Sequence, residues 1–232
     1  ISSTVENSNA AIDVRENVTL TLDAGVAVKS SGYGVAAWNS GKLVVENADI
    51  SASSSAISGN GTQTGTEITI NGGTFTSSNA AAVYFPSTQK LDINGGTFTG
   101  KMGIEIRAGT VTIDGATINA NGALTNNKTE ADGPLDYGMA VAVIDKSGYA
   151  TGSEINVTVG DDVVLNGSSY DVYVGDINGT SGATGTFNTE TVGNSYDYTH
   201  AIKFKMPGYE FSSTASTAGY RFAANDITAT SF

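Results

Sequence analysis

The sequence predicts an all-β solenoid, a parallel β-helix with three short strands per coil, about 7 coils and capped ends. Three observations predict it. A sequence unit recurs at intervals of about 20 to 25 residues; apolar residues alternate within each unit and line up between units; and Gly, Ser, Thr, Asn and Ala dominate, with 15% of residues charged. Such a composition favours short strands and tight turns over amphipathic helices.

The clearest unit is ITINGGTFTSSNAAAVYF, beginning at Ile68. It is echoed by LDINGGTFTGKMGIEIR from Leu91 and VTIDGATINANG from Val111. Looser copies begin at Leu20, Leu43 and Val157. Superposing the copies yields a first column of apolar pairs: Leu20/Leu22, Leu43/Val45, Ile68/Ile70, Leu91/Ile93, Val111/Ile113 and Val157/Val159. Period two within a pair and vertical alignment between copies are what stacked strands with one buried face require. A second column reads Ala27, Ile50, Phe75, Phe98, Ile118 and Val164. The third reads Val35/Ala37, Ser55/Ile57, Val83/Phe85, Ile104/Ile106, Val141/Val143, Val172/Val174 and Ile202/Phe204.

Turn chemistry agrees with this division. Gly72/Gly73 and Gly95/Gly96 supply left-handed backbone conformations after the first strand of a coil. Asn71, Asn94 and Asp114 share a turn position, where stacked amides and carboxyls are expected to form an internal hydrogen-bonded ladder. Residues 1–232 read as one domain, with residues 1–16 as an N-terminal cap and coils over 17–206. An insertion over 119–138 is expected to project from a turn and contribute to a binding face. Residues 207–232 lose the pattern, as a C-terminal cap over the open core would.

Lys and Arg number 11 against 23 Asp and Glu, and the resulting net charge of −12 repels phosphate backbones and anionic lipid. Neither nucleic acid nor membrane insertion is expected. With no cysteine there are no disulfides and no thiolate metal ligands. The chain begins at Ile1 rather than Met, which is read as either processing or excision from a longer chain, and export to the cell surface or medium is expected.

The INGGTFTG-type coils resemble the right-handed β-helices of the pectin-lyase-like superfamily, especially repeat-rich surface proteins of gut bacteria. The resemblance spans roughly residues 17–205 and implies a right-handed coil. Enzymes of that superfamily imply two chemistries, and this chain matches neither motif fully. The polygalacturonase-like pattern would need Asn-x-Asp, Asp-Asp, Gly-His-Gly and Arg-x-Lys. Only fragments are present: Asp161–Asp162 supplies an acidic pair, but the sole histidine, His200, lacks flanking glycines and no Arg-x-Lys follows. The pectate-lyase-like pattern would need acids clustered around calcium beside an Arg or Lys base. Asp92, Asp114 and Glu105 are the acids that could approach one another, but their slots in the repeat disperse them. Asp176 to Thr180 offers hard oxygens for calcium without the remaining ligands of an EF-hand loop. No catalytic residue, no resident metal and no cofactor are therefore assigned. Threonine pairs Thr74/Thr76 and Thr97/Thr99 suggest an ice-binding array, but the expected counterparts Val26/Val28, Asp49/Ser51, Thr117/Asn119 and Val163/Leu165 interrupt it.

Recognition character is strongest on the outward side of the third strand. Alternation places Ala36, Ala56, Tyr84, Glu105, Ala142, Tyr173 and Lys203 there, with Trp38, Arg107 and Lys205 beside them. Trp38, Tyr84, Glu105, Arg107, Tyr173 and Lys203 form the expected ligand-binding set: rings to stack on sugar faces and polar groups to meet hydroxyls or carboxylates. The expected function is a non-catalytic extracellular surface module for adhesion or glycan binding, with a carbohydrate or host surface as partner. The alternatives are a segment of a phage fibre, spike or extracellular filament, and a polysaccharide lyase or hydrolase.

Overall fold

A computed structural model describes residues 2–3, 10–60, 65–123, 138–145, 154–176, 202–211, 220–222 and 227–229. Among these residues there is no helix, and hence none long and apolar enough to cross a membrane.

Three parallel sheets run the length of the molecule. The first is built from β3 (Thr19–Leu22), β6 (Lys42–Val45), β9 (Glu67–Ile70), β12 (Lys90–Ile93), β15 (Gly109–Ile113), β18 (Ile155–Val159) and β21 (Ile202–Lys205). The second comprises β1 (Ser2–Ser3), β4 (Ala27–Ser30), β7 (Ala48–Ala52), β10 (Gly73–Ser77), β13 (Gly96–Gly100), β16 (Ala116–Ala120) and β19 (Val164–Gly167). The third contains β2 (Ala10–Val14), β5 (Tyr33–Trp38), β8 (Ile57–Asn60), β11 (Ala81–Phe85), β14 (Met102–Ile106), β17 (Met139–Asp145) and β20 (Tyr170–Asp176), closed by β23 (Tyr220–Phe222). Along the coils each strand bonds to the strand three elements further on, so every turn of chain adds one strand to each sheet. That is the topology of a three-strand-per-coil parallel β-helix of about seven coils.

The first column of the sequence is the inner face of the first sheet. Leu43, Ile68, Leu91, Val111 and Val157 stack in register and are buried, as are Val45, Ile70, Ile93, Ile113 and Val159 above them. Phe75 and Phe98 do the same in the second sheet, their rings stacked at 4.8 Å and 11°. Small residues at the start of the third-sheet strands leave room for these bulky side chains. A Cβ on Gly34 would sit 2.5 Å from Ile50 Cγ2, and one on Gly103 would collide with Ile118 Cγ2. Ala56, Ala82 and Ala140 are buried in the same core. In the turns, Gly73 and Gly96 take φ of 117° and 110°, and a Cβ on Gly73 would strike the Ala48 carbonyl.

The other columns need correction. In the second sheet Val28, not Ala27, pairs with Ile50, and Leu165, not Val164, pairs with Ile118. A slip of one residue exchanges the faces, and accordingly Val164 is 50% exposed. In the third sheet Ile57 pairs with both Val35 and Val83, so the column continues as Ile57/Gly59 rather than Ser55/Ile57. Ile202 and Phe204 pair with Ile155 and Val157 and thus belong to the first sheet, not the third. Residues 177–201, outside the described set, carry the chain from β20 to β21.

At the ends, residues 1–16 are not solely a cap. Ser2–Ser3 pairs with β4, and Ala10–Val14 lies in register with β5, so this segment begins the stack. Beyond Pro207 the parallel pattern stops, since β23 joins β20 antiparallel and β22 (Tyr209–Phe211) pairs antiparallel with β24 (Ile227–Ala229). Phe222 is buried in the core and Tyr209 packs against it. Of the insertion expected over 119–138, Asn119 and Ala120 instead complete β16, and the rest lies between β16 and β17, so the chain enters it from the second sheet and leaves into the third; residues 124–137 are outside the described set.

Candidate functional site

A solenoid with three sheets offers three outward faces, and here they differ in kind. On the third sheet, alternation puts Ala36, Tyr84, Glu105, Ala142 and Tyr173 in one outward row as expected, whereas Ala56 lies in the core and Ser58 takes its place; outward, however, does not mean exposed. Glu105 is 4% exposed, Arg107 0% and Tyr173 1%. Ala36, Ser58 and Ala142 are buried too. Ala81, Met102, Met139, Ala142, Ile144 and Tyr173 make a second apolar cluster, separate from the core and flanked by Tyr170. Every residue of β14 is buried, Glu105 included, and in β17 apolar residues occupy both parities, as in a sheet buried on both sides. That unbroken apolar run in MAVAVID is the sequence signal that could have revealed the covered face.

Within this face three of the expected residues meet. Tyr84 and Glu105 are register partners, Arg107 Nε donates to Glu105 Oε1 at 2.6 Å, and the Arg107 guanidinium lies 5.6 Å from the Tyr84 ring centre. Tyr173 follows Glu105 two strands on, beyond Ala142. A buried, hydrogen-bonded ion pair under an aromatic ring is an ordered structural unit, with only half-buried Tyr84 keeping surface in solvent. Trp38 stands apart at the N-terminal end. Its Nε1 donates to Asp13 Oδ1 at 3.0 Å and Arg15 lies 5.5 Å over its ring, itself 3.1 Å from Asp13. Lys203 lies on the first sheet, donating to both Glu154 carboxylate oxygens at 3.0 and 2.9 Å. That bond and the ammonium charge hold the Glu154 carboxyl below the ordinary range.

The first sheet's outward face mixes ion pairs with threonines, Thr21, Thr69, Thr112 and Thr158 standing in one row with Val44 and Asp92. Lys42 pairs with Glu67 at 2.8 Å across adjacent coils and Lys90 with Asp92 at 2.6 Å along one strand. Asp92 is thus neutralised where it stands, Asp114 sits in an exposed turn, and Glu105 lies on another sheet, so these three acids do not converge. Asp162 bonds coil to coil, its Oδ1 accepting from Gly115 N at 2.9 Å. Of the ladder expected over Asn71, Asn94 and Asp114, the Asn71–Asn94 link forms at 2.9 Å and continues at 2.9 Å to Glu46 rather than to Asp114, and it is exposed rather than internal. Among the described residues no three of His, Asp and Glu gather as a metal would need. His200 and the Asp176–Thr180 calcium candidate fall outside what is described, except for the backbone of Asp176.

The second sheet's outward face is open. With the register corrected, its pairs are Thr74/Thr76, Thr97/Thr99 and Thr117/Asn119 at the centre. Ala27/Lys29 and Asp49/Ser51 flank them on one side and Val164/Asn166 on the other. Asn119 Nδ2 donates to Thr99 Oγ1 at 3.4 Å, and Asn166 Nδ2 to Asn119 Oδ1 at 2.9 Å, which ties side chains together along the solenoid axis. A shallow depression opens between the rows at Ala27, Lys29, Asp49, Ser51, Thr74 and Thr76. In the sequence this surface was set aside because only two adjacent coils carry a Thr-x-Thr pair, and the corrected register adds no third.

No family model, no curated protein and no solved structure matches the chain. The function must therefore be argued from the faces themselves.

Proposed function

We propose that this chain is a non-catalytic surface module, extracellular or cell-surface, that binds a glycan on a rigid β-helical scaffold. We also assign it a right-handed coil and kinship with the pectin-lyase-like superfamily, on the INGGTFTG repeats alone. The observation that carries the functional reading is the open second-sheet face: hydroxyls and amides on consecutive parallel strands, held by a core that fixes their spacing. Hydroxyl and amide groups both donate and accept, which suits the hydroxyl-rich surface of a sugar. Because the strands are locked on both sides, little side-chain or backbone order has to be created on binding. Of the residues first expected to contact ligand, Trp38 and Tyr84 retain partial exposure, but both stand on the third sheet and not on the second-sheet face. Glu105, Arg107, Tyr173 and Lys203 support the scaffold through the contacts described above.

The test is a glycan-array screen of the purified chain with and without calcium, followed by product analysis on each polysaccharide retained. Retention without bond cleavage is the expected result. Cleavage would overturn the non-catalytic reading, and silence across the array would overturn glycan binding in favour of a scaffold role.

A further inference from the structure

We infer that the ligand is a neutral, extended, β-linked polysaccharide lying along the solenoid axis, across the strands of the second sheet. This rests on the glycan-binding reading and specifies which face, which orientation and which charge. Orientation follows from spacing. Neighbouring parallel strands are about 4.8 Å apart, close to the rise of one sugar in an extended β-linked chain, whereas successive outward residues along one strand stand about 6.6 Å apart. An axial glycan therefore meets a fresh hydroxyl or amide at each sugar: Ser51, Thr76, Thr99, Asn119 and Asn166 in turn. Bonds from Asn119 to Thr99 and from Asn166 to Asn119 already order this row along the same axis. Each amide keeps a second donor hydrogen and an acceptor lone pair for a ligand.

Charge selects against polyanions. The two rows carry one acid and one base, Asp49 and Lys29, both at the depression near one end, and the remaining positions are uncharged. With 23 acidic against 11 basic residues, the chain as a whole repels a polyuronate. Of the basic groups, Lys42, Lys90 and Lys203 lie on the first sheet and are paired with Glu67, Asp92 and Glu154, while Lys29 shares the depression with Asp49.

The experiment compares the wild-type chain with Thr76→Val/Thr99→Val, and with Thr69→Val/Thr112→Val as a first-sheet control. Valine keeps the shape and strand preference of threonine and removes the hydroxyl. Binding is measured by affinity electrophoresis and calorimetry on β-1,4-glucan, β-1,4-mannan and β-1,3-glucan, with their oligosaccharides from disaccharide to hexasaccharide, and on polygalacturonate and alginate. Each lost neutral hydrogen bond is worth roughly a fivefold change in binding constant, so the second-sheet double variant should bind at least about tenfold more weakly. The control should bind as wild type, both variants should keep the wild-type thermal midpoint, and affinity should rise with oligosaccharide length. Binding of neutral glycans that survives Thr76→Val/Thr99→Val, or a preference for polygalacturonate or alginate, would overturn this inference and leave the glycan-binding reading standing. Silence on every polysaccharide would overturn both, and thermal hysteresis with that silence would reassign the threonine rows to ice.

Discussion

The Glu105–Arg107 pair allows a prediction whose sign, not only its size, depends on the third-sheet face being covered. Arg107→Met removes a guanidinium that is 0% exposed and leaves Glu105, 4% exposed, as a carboxylate without its 2.6 Å partner. Breaking a buried pair from one side costs about 3–5 kcal/mol. Loss of the contact with the Tyr84 ring adds roughly 0.5–2 kcal/mol. A domain holds about 5–15 kcal/mol in all, so the single variant should be strongly destabilised. Glu105→Met combined with Arg107→Met removes both charges and fills the space with flexible apolar side chains. That double variant should recover most of the loss, ending near or above wild type, because apolar replacement of buried pairs is often neutral or stabilising by about 1–4 kcal/mol. Urea unfolding supplies the midpoint and slope, and amide exchange in β14 supplies a local reading should the stacked coils unfold in parts. If Arg107→Met costs under about 1 kcal/mol, the pair behaves as a solvated surface bridge. The covered-face reasoning would then fail, and Glu105 and Arg107 would return as candidates for ligand contact.

Two further outcomes follow from particular contacts. Phe75→Ala and Phe98→Ala should each cost about 3–5 kcal/mol, and the double variant should cost less than their sum by about 0.5–1.5 kcal/mol because the stack is lost only once; strict additivity in a double-mutant cycle would mean the rings do not interact. Burial raises the Asp171 carboxyl above its ordinary 3.8, although Gly167 N donates to its Oδ1 at 2.7 Å and works the other way. The native state therefore binds the proton more tightly than the unfolded chain does. Stability attributable to this group falls as pH rises from the ordinary aspartate range through the raised value, then levels off. Asp171→Asn keeps an acceptor for Gly167 and loses the charge, so its advantage over wild type in urea should grow with pH across that window; an advantage that shrinks with rising pH would contradict the assigned burial.

The fold was legible because its strongest signal is redundant. Leu43/Val45, Ile68/Ile70 and Leu91/Ile93 are flanked by polar or small residues, apart from Val44, and each copy fixes the register of the next. Where two neighbours are both apolar, alternation loses its meaning. Ala27–Val28 and Val164–Leu165 could each be read on either face, and the reading slipped by one residue at both. At Gly59 the inward position has no side chain to mark it, so the third column was shifted by two. Ile202 and Phe204 were misassigned because residues 177–201 interrupt the period between β20 and β21. The site was less legible for a different reason. Strand alternation reports which side of a sheet a residue takes, but whether that side meets water depends on what packs over it. Tyr173 and Arg107 had the chemistry of ligand contacts and turned out to be enclosed, whereas Thr76 and Thr99 looked like compositional background, and Thr76 is exposed and Thr99 half-buried.

Stacking in register makes length an independent variable of this molecule. Leu91 faces Val111 and Ile93 faces Ile113, so residues 91–110 amount to one interchangeable coil. A duplication in frame would slide a new strand into each sheet between partners that already accept its neighbours, extending the body by about 4.8 Å. Reach can therefore change by gene-level duplication while the surface motif is simply copied, and the chain can evolve as a ruler whose gradations are its own coils.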